Sequence, residues 1–204
     1  MNTHERKFYR KIVTNFLQFC ARERIPLTYE EFSELEYTDE LEAIEEELGV
    51  SVAFGLSKLV LIPCKASRFV IKIPFYREDE AAYCEMELSN YIEARNRGVD
   101  MFFAALHKDR VKKTTYYLQA RVGDTYPVPY SKETKDYYYD RPYGEVDDDV
   151  IGEEVSLEFI EYYGKDGFEE LYNFLLDMDI NDVHSFNYGK RFDGAPVIFD
   201  YSGF

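Results

Sequence analysis

The order of its secondary-structure signals constrains this chain more than any single motif. Three apolar, β-prone runs at 50–54, 59–62 and 68–74 follow at short intervals, the first two joined by Gly55-Leu56-Ser57-Lys58. A long helical pattern over 78–97 comes next, ended by Gly98, and two more β-prone runs lie at 102–106 and 114–122. The third run places Lys72 among β-branched residues. Strand period sends Val70 and Lys72 to one face and Phe69, Ile71 and Ile73 to the other. Such a lysine can equally be solvated, with its stem lying over the sheet. In the helix, Glu87 and Tyr91 share a face at i, i+4 and Glu85 sits half a turn away. Acidic residues there are by default a solvated face.

The C-terminal residues 182–204 hold acidic and amide side chains at a suggestive spacing. Asp193-Gly194 is a strong two-residue turn signal, with short strands at 188–192 and 196–199. A symmetric two-residue turn sets Phe192 against Ala195 and, counting outward, Asn187 against Asp200, with Asp182 on the preceding loop. A carbonyl oxygen and a carboxylate at the open end of a hairpin suit a hard divalent cation that keeps water and phosphate oxygens as further ligands. Asp182 and Asn187 also fit plain loop residues bonding their own backbone.

In this order the elements resemble the protein kinase-like superfamily over 48–204, in particular minimal kinase-like proteins of bacteria and phages. Val70-Ile71-Lys72 is similar to the family's Val-Ala-Ile-Lys strand. Asp182 and Asn187 match its Asp and Asn five apart, and Asp200-Tyr201-Ser202-Gly203 resembles Asp-Phe-Gly. The resemblance implies an α+β, two-lobed fold, with a five-stranded antiparallel sheet plus helix, then a small helical lobe carrying the catalytic-loop hairpin. The implied divisions are a helical N-terminal extension (1–47), an N-lobe (48–122) and a truncated C-lobe (123–204). It implies ATP and Mg²⁺ as ligands. Lys72 would hold phosphates, oriented by Glu87, with Glu85 as the other choice of partner. Gly55, Ser57 and Lys58 would line the phosphate turn, and the backbone of Gln119 to Val122 would meet the adenine edge. Asn187 and Asp200 would hold metal, and Asp182 would orient the attacking hydroxyl and accept its proton.

Departures are equally specific. No Gly-x-Gly-x-x-Gly is present, only Gly55 with Gly49 before the first strand. Asn181 precedes Asp182 where the family has arginine, and the terminal motif is one residue longer than Asp-Phe-Gly. The resemblance stops at Phe204, so the family's substrate-seating segment is expected to be missing. The expected function is therefore Mg²⁺-dependent ATP binding, with phosphoryl transfer to a hydroxyl as its active form. The alternative is a non-catalytic, pseudokinase-like regulatory or interaction protein.

Composition narrows the classes further. At 204 residues with 46% apolar content the chain can bury a real core. No run is long enough to span a membrane, the first residues lack a signal-peptide core, and Cys20, Cys64 and Cys84 read as reduced thiols, so a cytoplasmic protein is expected. His184 reads as a loop histidine oriented by backbone contacts. A formal charge of −16 argues against nucleic acid as a ligand. It also repels ATP unless Lys58, Lys72 and a metal neutralise it locally. Opposite charges at about 4 Å are worth roughly 4 kcal/mol at an effective dielectric near 20, whereas diffuse charge is screened beyond about 8 Å.

Outside the resemblance, Phe8, Ile12, Phe16 and Phe19/Cys20 recur at helical spacing, Pro26 ends that helix, and Thr28-x-x-Glu31 opens a second; 40–48 reads as a third. Residues 123–129 break the pattern as a lobe boundary. Residues 130–154, with Tyr137-Tyr138-Tyr139 and Asp147-Asp148-Asp149, read as a polar excursion, and 155–163 and 167–178 as helices. A protein partner is expected at 1–47 or at 130–154, a basic one in the latter case.

Overall fold

The computed structural model describes residues 1–35, 38–65, 67–76, 78–123 and 129–201, without the side chains of 40 and 78–81. The described residues form an α+β arrangement of six α-helices, a five-stranded antiparallel sheet and a two-stranded hairpin. Two compact units divide it: Met1–Leu88 with Leu106–Arg121, and Ser89–Ala105 with Val122–Phe204. No described helix is long and apolar enough to cross a membrane.

The first unit holds α1 (Thr3–Glu23), α2 (Tyr29–Leu35), α3 (Asp39–Leu48) and the sheet, with β1 (Val50–Phe54), β2 (Lys58–Pro63), β3 (Phe69–Pro74), β4 (Leu106–Val111) and β5 (Thr114–Ala120) in the order β1-β2-β3-β5-β4. The inward face of β3 (Phe69, Ile71, Ile73) joins Leu59, Leu61, Tyr116 and Leu118 in one core with α1, α2 and α3. Residues 1–47 thus share the sheet's core rather than forming a separate body. In α1 the buried stripe is Tyr9, Ile12, Val13, Phe16, Phe19 and Cys20, while Phe8 is exposed. Strict i+4 steps precess about 40° around a 3.6-residue helix, which carries Phe8 off the buried face. Asn2 and Glu5 close a capping box at its start, and Thr28 Oγ1 accepts from Glu31 N–H at 3.3 Å before α2.

The fourth strand is not at 102–106. Asp100–Phe102 is a 3-10 turn, and Phe102 and Phe103 belong to the second unit's core, where Ala104 N–H bonds Ile198 O at 2.8 Å. The strand is the more polar Leu106–Val111. It buries Asp109, which takes hydrogen bonds from Arg6 (2.8 and 2.9 Å), Arg10 (2.8 and 3.1 Å) and the Tyr116 hydroxyl (3.0 Å).

Helix α4 (Glu78–Arg97) gives its first part to one unit and its second to the other, and ends at left-handed Gly98 (φ 80), over which Val99 N–H reaches Ala94 O at 2.8 Å. The second unit adds α5 (Lys132–Tyr139), α6 (Glu153–Asp177, broken at Gly164, φ 74), β6 (Tyr188–Lys190) and β7 (Pro196–Ile198). Phe103, Phe159, Phe168, Leu171, Phe174, Val197 and Ile198 are buried there. The polar stretch 130–154 therefore contains a helix. Ser131 caps it by accepting from Thr134 N–H at 3.1 Å, and Tyr137 and Arg141 tie it to Glu169 of α6. Of the boundary at 123–129, residues 124–128 lie outside the described residues.

The hairpin register is one residue off the two-residue-turn expectation. Tyr188 pairs with Ile198 and Lys190 with Pro196. Gly194 N–H bonds Arg191 O and Arg191 N–H bonds Ala195 O, both at 2.9 Å, with Gly194 left-handed at φ 86. This is a three-residue loop, a type I turn closed by a glycine bulge. Asn187 consequently faces Phe199, whose N–H bonds Asn187 O at 2.8 Å, while Asp200 N–H lies 3.5 Å from the same oxygen.

Candidate functional site

In the first unit, Lys72 is opposite Val60 in the register, which puts Lys58 on the same sheet face two residues along. Glu87 comes from α4, fully buried, and meets both lysines. Lys72 Nζ donates to Glu87 Oε2 at 3.0 Å and Oε1 at 3.1 Å; Lys58 Nζ donates to Oε1 at 2.5 Å. The Lys72 side chain is 4% exposed and that of Lys58 8%, so neither is a solvated surface lysine. Glu85 is engaged elsewhere, by the Lys108 ammonium and the Tyr117 hydroxyl (2.7 Å). Burial pushes its carboxyl up, and those two donors more than offset this.

The turn between β1 and β2 is closed by Gly55 N–H to Lys58 O at 3.0 Å, and Ser57 O receives Phe75 N–H at 3.1 Å. A Cβ at Gly55 would meet nothing within 4 Å and its φ is not positive, so neither packing nor backbone geometry demands glycine there. Gln119 is buried in β5, flanked by Val70 on one side and Leu106 on the other. An adenine edge is therefore not offered at Gln119, because its strand has neighbours on both sides. Arg121 N–H is bonded to Arg68 O at 2.8 Å. Val122, in the second unit, packs against Gly189, where a Cβ would come 2.6 Å from Val122 Cγ2.

In the second unit, Asp182 sits at left-handed φ 60, its N–H bonded to Asp149 O at 2.7 Å; Val183 N–H bonds Val150 O at 3.1 Å. These bonds fix the loop while its carboxylate stays 65% exposed. Asn187 closes the loop: its N–H bonds His184 O at 2.9 Å and its Nδ2 donates to Asp182 O at 2.8 Å. With the nitrogen end held, the amide oxygen is directed away from that bond. His184 accepts from Phe186 N–H at 3.2 Å and stands 3.8 Å from the Asp182 carboxylate.

Asp200 is followed by buried Tyr201, which is anchored twice. Its carbonyl accepts from Asn90 Nδ2 at 2.8 Å and its hydroxyl donates to Ala104 O at 3.0 Å. Ser202 and Gly203 lie outside the described residues. No pattern in the sequence marks Asn90 as this anchor, nor Lys58 as a second partner of Glu87. Asn187 and Asp200 are hard oxygen donors suited to Mg²⁺. Among the described residues no group of three or more His, Cys, Asp or Glu side chains could hold a metal ion. No protein-family model, curated protein or solved structure matches the chain.

Proposed function

We propose that this chain binds ATP with Mg²⁺ as a minimal kinase-like protein, and that Asp182 equips it to pass a phosphoryl group to a hydroxyl acceptor. The observation that supports this most is the buried pairing of Lys72, with Lys58, to Glu87. A buried ion pair is rarely more stable than packed apolar side chains, so its charges call for a role beyond stability. In this reading Lys72 donates to phosphate oxygens and Glu87 fixes its ammonium. Lys58 adds positive charge at the Gly55–Ser57 turn, where the open space beside Gly55 suits close approach of a ligand. Asn187 and Asp200 present oxygens to the metal, and Asp182, its loop pinned by Asn187, accepts the acceptor's proton. Mg²⁺, held by Asn187 and Asp200, would supply positive charge to neutralise phosphate.

Mg-ATP at 100 times its dissociation constant should stabilise the protein by about 2.7 kcal/mol, a rise in Tm of roughly 5–10 °C for a chain of this size. Lys72→Ala or Asp200→Ala should remove most of that rise; an undiminished rise in both variants refutes the assignment. Asp182→Asn should depress transfer to candidate hydroxyl acceptors far more than it weakens ATP binding. The non-catalytic reading has the lone glycine of the 55–58 turn on its side. ATP binding without turnover, unchanged by Asp182→Asn, would select it.

A further inference from the structure

The second unit carries a groove lined by none of the residues assigned above to nucleotide or metal. A hollow of about 740 Å³ opens between α5, the segment after it and α6, and a second of about 500 Å³ adjoins it, sharing Tyr137 and Lys165. Its floor is fixed. The Arg141 side chain, 4% exposed, donates to Glu169 Oε1 at 2.6 Å and Oε2 at 2.5 Å and lies 4.6 Å over the Tyr172 ring. The Tyr137 hydroxyl bonds the same carboxylate. Burial, reinforced by that bond, pushes the Tyr137 phenol up to about 12, so it stays neutral. Lys165 is engaged too, 3.2 Å from Glu133 and 5.2 Å over the Tyr137 ring.

Arg141 and Lys165 are committed; Lys132 is exposed on the second hollow, but four exposed carboxylates outnumber it, so what the groove offers is mainly acidic and aromatic. Glu145, Asp166, Asp136 and Asp140 are exposed, and none has an ion-pair partner among the described residues. Tyr143 is 76% exposed and Leu176 50%. A large exposed ring beside unpaired carboxylates suits a cation carried on an apolar stem.

We propose that this groove docks a basic protein segment in which arginine alternates with apolar residues, the guanidinium reaching Glu145 or Asp166 while the apolar side chains cover Tyr143 and Leu176. Charge complementarity selects this occupant. Acidic segments and nucleic acid are repelled, and a second copy of a chain carrying −16 would meet its own sign. The inference stands apart from the ATP reading, since none of its residues is assigned to nucleotide or metal.

The test is fluorescence anisotropy with a short labelled peptide alternating arginine and leucine, at low and physiological salt. A net charge of −16 attracts any polycation, so a charge-matched control is essential. Glu145→Lys with Asp166→Lys should weaken binding about tenfold or more, whereas Glu42→Lys with Glu46→Lys, the same charge change on exposed α3 positions, should leave it within about twofold. Tyr143→Ser should weaken binding about fivefold, in variants whose circular dichroism and Tm match wild type. Equal loss in the two lysine pairs, no loss in Tyr143→Ser, or equal affinity for a glutamate-leucine peptide each overturns the proposal.

Discussion

Asp109→Asn keeps the shape of a buried side chain and removes its charge. The native carboxylate receives two bonds each from Arg6 and Arg10, one from Tyr116 and one from its neighbour Arg110 N–H at 2.8 Å, joining α1 to β4 and β5. Asparagine keeps one acceptor oxygen and turns an NH₂ group toward donors. Stranding one side of a buried ion pair costs about 3–5 kcal/mol. Here the arginines are 52% and 45% exposed and recover water, which brings the expected loss for Asp109 to about 2–3 kcal/mol, or roughly 5–10 °C in Tm. The pH dependence supplies the sharper check. Arg6 first, and Arg10 after it, outweigh burial and hold the Asp109 carboxyl well below the usual carboxylate range. A depressed native pKa stabilises fully above the unfolded value of about 3.9 and is lost as pH falls below it toward the native value. Urea melts at pH 7, 5 and 3 should show a constant gap between wild type and Asp109→Asn at the first two and a smaller gap at the third. A gap that does not narrow at pH 3 would show that charge is not what Asp109 contributes.

Glu87→Gln should destabilise the ligand-free protein by about 3 kcal/mol or more, against about 1–2 for Lys72→Met or Lys58→Met. Removing one lysine leaves Glu87 the other, whereas removing the carboxylate takes the shared partner from both buried lysines at once. Equal costs in denaturant melts would contradict an arrangement centred on Glu87. Gly189→Ala places a Cβ 2.8 Å from Gly123 O and 2.6 Å from Val122 Cγ2, so backbone must shift. The expected cost is about 1–3 kcal/mol, with faster hydrogen exchange at the Gly123 and Lys190 amides, which are bonded reciprocally at 2.8 and 3.1 Å. Unchanged exchange would mean that the hairpin absorbs the methyl elsewhere.

Local pattern made several elements legible in advance. Strands β1, β2 and β3 and helix α4 with its Gly98 stop follow from periodicity and capping chemistry, which involve only near neighbours in the chain. So does the face of β3 opposite Lys72, because strand period alone separates Lys72 from Phe69, Ile71 and Ile73. Tertiary structure decided the rest. Residues 102–106 are apolar enough for a strand, yet which core they enter depends on Ile198, nearly a hundred residues away. The polar run Leu106–Val111 becomes a strand because Arg6 and Arg10 satisfy Asp109 from another element. At the hairpin, Asp-Gly announces a turn, but its register is set by the bulge at Gly194 and by the packing of Tyr188, Val197 and Ile198. A one-residue slip there would turn every side chain to the opposite face. The convergence of Lys58 on Glu87 is likewise invisible in sequence. Periodicity tells which way a side chain points, while only the packed chain decides what it meets and whether a buried charge finds its partner.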